Sequence, residues 1–297
     1  MSTTQSRSID GMSTIGRSPA TTIGPAPATY LFVPGHRPEL IAKARRSAAD
    51  AVVIDLEDAV PPGQRPAARE TTAQALREHA GHPPVTGQQL WVRVNAAGGA
   101  EAEADLEAVG ELLTHARLPK VADAAAIDWL ADRAPRLVAT LPAIEAAAGL
   151  LEAPSIAAHP LVVRLGLGGV DLAADLGCED TPEALAYPRS VLVVASRAFG
   201  LPGPVNSVYT RLDDTKGLIR HAETARALGF AAQSVLSPRQ LEPVRTVFGG
   251  SEREARWARE VLAAFATSAG AATRTAGGDF VDLPVAQHAR RILGIAD

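Results

Sequence analysis

The chain has 297 residues, with 29 lysines and arginines against 33 acidic residues and a formal net charge of -4. That balance leaves no electrostatic footprint for nucleic acid or anionic lipid, so neither is expected as a partner. The single cysteine, Cys178, excludes an intrachain disulfide and a thiolate zinc knot, and no apolar run approaches the roughly 20 residues needed to span a bilayer.

A soluble, cytoplasmic protein is therefore expected. Residues 1–28 are rich in Ser, Thr, Gly and Pro and nearly free of bulky apolar side chains, so they are predicted to form a disordered tail. They contain arginine and few acids, as transit peptides do, but Gly and Pro interrupt any amphipathic helix and there is no signal-type apolar core. Met12 is an alternative start. From Tyr30 onward, β-branched runs alternate with Ala-rich helical stretches, the trace that a parallel sheet with crossover helices leaves in sequence. Eight strands are predicted, at 30–33, 51–56, 90–95, 116–120, 137–141, 161–166, 205–209 and 232–236, each followed by a helix. AVVIDL and LVVRLGL are apolar at successive positions, as strands covered on both faces are. The fold class is α/β: a (β/α)8 TIM barrel over 29–250 with a C-terminal helical extension over 251–297. The extension reads as an amphipathic helix at 252–266, then a loop and a last helix beginning near Pro284.

In such a barrel the working residues project from the C-terminal strand ends and the loops beyond them. Those positions are crowded here. The second strand ends in Asp55, Glu57 and Asp58, the third in Arg93 and Asn95, the fourth in Lys120; Glu145 follows the fifth and Asp171 the sixth. Hard cations take oxygen ligands, and two carboxylates beyond neighbouring strands suit a divalent ion. The alternative is that each caps the helix after it. Arg93, in the apolar run WVRVN, is suited to grip a carboxylate with two hydrogen bonds, or else to pair structurally with Glu57 or Asp58. GLGGVD at 166–171 lacks the P-loop lysine and the full dinucleotide pattern, so its glycines are read as permitting close backbone approach beside the metal carboxylate. No histidine pair has metal-ligand spacing, no G-x-S-x-G elbow occurs, and the three tryptophans are too scattered to stack bases.

The segments LFVPGHRPELIAKA, ADAVVIDLEDAVPP, WVRVNA, LPKV, IEAAAGLLEAPSIA, VDLAADLG and FVDLPV, in this order from about Tyr30 to Leu293, resemble the citrate lyase β-subunit family. That group includes malyl- and citramalyl-coenzyme A lyases and belongs to the HpcH/HpaI aldolase superfamily. The resemblance implies a TIM barrel assembled as a homo-oligomer, a trimer or hexamer. It implies magnesium, with manganese as the alternative ion, held by Glu145 and Asp171. It places Arg93 on the carboxylate of the oxo acid, Glu57 and Asp58 in the same pocket, and Gly169 and Val170 beside the substrate. Asp282, in FVDLP, matches an aspartate that enters a neighbouring subunit's site. The implied reaction is cleavage or formation of a coenzyme A thioester of a 3-hydroxy dicarboxylic acid, with a 2-oxo acid and an acyl-coenzyme A as the other partners. The same site suits a thioesterase or an aldolase on free hydroxy acids, and a barrel without activity would serve as a scaffold subunit.

Several positions depart from the family pattern. Val170 stands where a glutamate often precedes the metal aspartate, Asn206 replaces a frequent aspartate, Gln233 a common lysine, Ala28 a frequent arginine, and Leu236-Ser237-Pro238 the usual IHP. These changes bear on substrate choice more than on the metal pair.

Overall fold

The computed structural model describes residues 26–82, 87–249 and 252–295. Eight parallel strands close into a barrel in sequence order: β1 (Thr29–Pro34), β2 (Ala51–Asp55), β3 (Gln89–Arg93), β4 (His115–Leu118), β5 (Ala139–Ile144), β6 (Gly166–Leu167), β7 (Val205–Asn206) and β8 (Ala232–Val235). Around it run α1 (Pro38–Arg45), α2 (Arg65–Gly81), α3 (Ala100–Val109), α4 (Ala125–Arg133), α5 (Ala147–Leu151), α6 (Ala153–Ala158), α7 (Gly169–Leu176), α8 (Ala186–Ala198), α9 (Thr215–Leu228) and α10 (Leu241–Phe248). All five residues of β2 are buried, because one face meets the barrel interior and the other the helices. Tyr30, Val53, Trp91, Leu141, Val205 and Ala232 fill the interior, while Leu31, Ile54, Val92, Leu118 and Leu167 belong to the larger core shared with the helices.

Local chemistry explains the helix ends. Asp214 starts α9 by accepting a hydrogen bond from the Gly217 amide at 2.8 Å, and Gly229, at φ 109°, ends it in a conformation most side chains resist.

Several strands differ in extent from expectation, the third, fourth and seventh ending early at Arg93, Leu118 and Asn206, and the differences in the fifth and sixth shape the site. The fifth runs from Ala139 to Ile144 rather than over 137–141, with Leu137 84% exposed outside it. Pro142 does not stop it. The sixth strand pairs at an isolated Thr140–Val162 bridge and again from Gly166, and Pro142 falls between those points, where a missing amide breaks no ladder. The regular part of the sixth strand is only Gly166–Leu167, since Arg164 turns to the carbonyls of Gly203 and Pro27 at 2.7 and 2.6 Å. Of the tail expected at 1–28, residues 1–25 lie outside the described residues; Pro27 holds Arg164, and the Ala28 amide donates to Asp50 at 3.2 Å.

Beyond the barrel, α11 (Glu252–Thr267) and α12 (Leu283–Leu293) pack around Ala258, Val261, Val281 and Ala289. Between them the expected loop forms a short antiparallel pair, β9 (Thr273–Arg274) and β10 (Phe280–Val281). An Arg226–Glu254 ion pair of 2.9 Å links the extension to α9. Among the described residues no helix is long and apolar enough to cross a membrane.

Candidate active site

At the C-terminal mouth of the barrel, Asp55 closes β2 and is 1% exposed. It accepts from the amides of Glu57 and Ala59 at 3.0 and 3.1 Å, which turns the chain over the barrel rim. It also receives Arg93 through two bonds, Nε to Oδ1 at 2.7 Å and Nη2 to Oδ2 at 2.6 Å. The remaining nitrogen of Arg93, Nη1, lies 3.0 Å from Glu57 and 3.4 Å from Asp58. The carboxylates around Arg93 outweigh the effect of its burial, and its pKa stands above the ordinary arginine range. The pairing expected with Glu57 and Asp58 is therefore present, but the stronger partner is Asp55.

Lys120 joins two parts of the mouth. Its Nζ reaches Glu57 at 2.6 Å, and its amide donates to Glu145 Oε2 at 3.0 Å. The residue adopts φ 53°, a left-handed conformation rare outside glycine, and such strain concentrates at functional sites. Burial pushes the Glu57 carboxyl up, against the pull of Arg93 and Lys120.

Glu145 follows β5 directly and is 7% exposed. Burial raises its pKa to about 7; Arg117 opposes the rise, while Glu57 and Asp171 add to it. Asp171 is an exposed residue in the first turn of α7. Neither acid caps a helix: the starts of α5 and α7, at Ala146 and Gly168, carry no side-chain cap bond. Among the described residues neither has a cationic side chain within 4 Å, and no group of three or more His, Cys, Asp or Glu is placed to hold a metal. The acidic set here is a pair.

The glycines act where close approach was expected. A Cβ on Gly168 would lie 2.2 Å from Glu145 Cγ, so only glycine leaves room for that carboxylate. The Gly169 amide donates to Ser207 Oγ at 3.1 Å, joining the start of α7 to the end of β7. Val170 is 43% exposed. A cavity of about 120 Å³ is lined by Arg93, Glu145, Val170 and Asp171, with Phe32 and Arg117 among its other walls. A larger groove of about 640 Å³ lies between α9, α10 and α11, lined by residues of the outer helices such as Glu223, Glu242 and Arg253.

The chain thus brings Arg93, Glu145, Val170 and Asp171 to one cavity. Glu57 and Asp58 stand behind Arg93 and Lys120 and do not line it, and Asp282 caps α12 by accepting from the Val285 amide at 3.1 Å. Sequence reasoning gave no role to Arg117, Ser207 or the main chain of Lys120. An arginine between the apolar Ala116 and Leu118 of the fourth strand was the available signal for the first.

A closed parallel barrel with acids and arginines at its C-terminal mouth defines an α/β-barrel enzyme. The chain belongs to the HpcH/HpaI aldolase/citrate lyase family, whose sequence profile matches residues 28–238. It is similar to the (3S)-malyl-CoA thioesterase of Cereibacter sphaeroides strain KD131, 36% identical over 244 residues that make up 80% of this chain and 82% of that one. It is 30% identical to the mitochondrial citramalyl-CoA lyase of Rattus norvegicus over 292 residues, covering 90% and 85% of the two chains. The crystal structure of CitE from Mycobacterium tuberculosis in complex with magnesium, acetoacetate and coenzyme A superposes with a TM-score of 0.76 at 36% identity, over 90% of this chain and 97% of that one.

Proposed function

We propose that this protein is a magnesium-dependent carbon-carbon lyase that cleaves, or forms, a coenzyme A thioester of a 3-hydroxy dicarboxylic acid. The carrying observation is the pair Glu145 and Asp171: two carboxylates lining one cavity, with no cationic side chain within 4 Å among the described residues. The pair fits a divalent ion. Burial and neighbouring acids hold a proton on Glu145 up to about pH 7, which is the condition a bound cation relieves, and Gly168 leaves the space its carboxylate occupies. The similar CitE carries magnesium, and its bound coenzyme A supports the thioester assignment. When bound, the ion supplies Lewis-acid polarisation of substrate oxygen.

The chain's own residues do the rest. Arg93 lines the cavity and is assigned to hydrogen-bond the oxo-acid carboxylate, and Glu57 and Asp58 act through it by fixing its position and that of Lys120. Val170 is assigned to the wall beside the substrate, and Gly169 acts behind it by holding Ser207, another wall residue, through its amide. Loss of the hydroxyl proton breaks the adjacent carbon-carbon bond, leaving a 2-oxo acid and a thioester enolate that takes up a proton. Asp282, on the extension, is assigned as the proton donor to a neighbouring subunit's cavity within a trimer or hexamer, and 251–297 is assigned as the segment that carries it there.

The similarity to a malyl-CoA thioesterase favours a second reading of the same site. Purified protein with magnesium and malyl-, citramalyl- or citryl-coenzyme A separates the two. Release of a 2-oxo acid with no free thiol is the expected result. Free thiol with intact hydroxy acid establishes the thioesterase, and neither product rejects both.

A further inference from the structure

Ser207 stands across the barrel mouth from Arg93. The eight strands close in sequence order, so β3 and β7 face each other. Arg93 and Arg117, in register on β3 and β4, line the same cavity as Ser207, which follows β7 directly. Between these two sides, Glu145 after β5 and Asp171 in the first turn of α7 complete the wall.

Ser207 is 2% exposed, and its oxygen is anchored. It accepts from the Gly169 amide at 3.1 Å, and a Cβ at Gly169 would lie 3.0 Å from that oxygen, tighter than side chains ordinarily pack. Its hydrogen is not anchored. Among the described residues the hydroxyl reaches only the Val208 carbonyl, at 3.5 Å, beyond the range of a good O–H···O bond. Accepting from an amide polarises a hydroxyl and makes it a better donor. A buried hydroxyl so placed, on the wall of a cavity, completes its bonding on an oxygen of the ligand.

We propose that Ser207 donates its hydroxyl hydrogen to the thioester carbonyl oxygen and stabilises the enolate that forms there. This rests on the lyase reading, with the oxo-acid carboxylate on Arg93. The hydroxyl-bearing carbon then lies beside Glu145 and Asp171, and the thioester arm, its other substituent, extends towards β7 and Ser207. As the carbon-carbon bond breaks, the hydroxyl gives up its proton and becomes the 2-oxo group. The bonding pair passes to the thioester fragment and places negative charge on its carbonyl oxygen, until the α-carbon takes up a proton. A donor aimed at charge that develops during the step accelerates it without tightening the binding of the ground state.

Single-turnover release of 2-oxo acid, from whichever of malyl-, citramalyl- and citryl-coenzyme A the wild type cleaves, tests this. Ser207→Ala is expected to slow release about tenfold to a hundredfold, the range of one hydrogen bond to a charged oxygen. KM, and the affinity for the oxo acid titrated calorimetrically with magnesium, should stay unchanged. Ser207→Cys, which keeps a weak donor, should fall between the two, and it still reads the step should the alanine variant fail to fold. A serine with a purely structural role would lower the thermal midpoint and leave the rate of the bond-breaking step as it was. An unchanged rate in Ser207→Ala, or a loss carried by KM and oxo-acid affinity, overturns the role of Ser207 and leaves the lyase reading standing. A wild type that releases no oxo acid overturns the lyase reading and this inference with it.

Discussion

The two sides of the barrel mouth are built on opposite principles. On the side of β2, β3 and β4, Arg93 and Lys120 meet Asp55, Glu57 and Asp58 in a network with contacts of 2.6–3.7 Å. On the side of β5 and β6, Glu145 and Asp171 face one cavity and neither has a cationic side chain within 4 Å among the described residues. Buried charge is tolerable when paired, so the first side is neutralised by the fold itself. The second side is left for something that binds. Enzymes keep such imbalance where a ligand or ion completes the charge, and the protein carries the cost until it does.

Substitutions should expose that contrast. Glu145→Gln is expected to have the largest functional effect, with turnover of the thioester falling about a thousandfold because the Lewis acid loses a ligand worth several kcal/mol; steady-state assays across magnesium concentrations measure it. Above pH 7 the same variant should melt at a higher temperature than the metal-free wild type. The Glu145 pKa is raised from 4.5 to about 7 in the fold, so the wild type is favoured below the lower value and loses that stability as pH rises through the upper one. Asp55→Ala should act oppositely on the other side, costing about 3–5 kcal/mol of folding stability by leaving Arg93 without its two-bond partner. Chemical denaturation reads that loss.

Smaller effects test the geometry. Gly168→Ala should cost about 1–3 kcal/mol through overpacking and weaken magnesium binding, since the added methyl meets Glu145 before anything else. Unchanged magnesium affinity in that variant would mean that Glu145 is not where the ion sits. Lowering the pH below 7 should weaken magnesium binding towards tenfold per unit, as a proton competes for Glu145. A pH-independent affinity would shift the binding role to Asp171 alone.

Much of this architecture was legible because a parallel barrel writes itself locally: apolar runs such as AVVID alternate with helical stretches, and charged residues at run ends mark the mouth. Glu145 and Asp171 could be paired from strand order alone. The boundaries of the fifth and sixth strands were not legible, since Pro142 reads as a breaker until the gap in its neighbouring strand is known. Nor was the identity of Arg93's main partner, which depends on the Asp55–Arg93 register and not on residue type. Arg117 was visible as a letter, but its place in the wall of the cavity beside Glu145 is a property of three dimensions. Backbone donors leave no signature at all, which is why the amide of Lys120 went unread.

That amide and its own side chain serve different masters. Lys120 holds Glu57 by an ammonium that any substitution removes, and Glu145 by a main-chain N–H that nearly every substitution retains. The consequence is evolutionary insulation: the charge network can drift at position 120 while the hydrogen bond to the Glu145 carboxylate is inherited intact. What would endanger it is the torsion, since φ 53° is tolerated readily by glycine or asparagine and poorly by a β-branched residue.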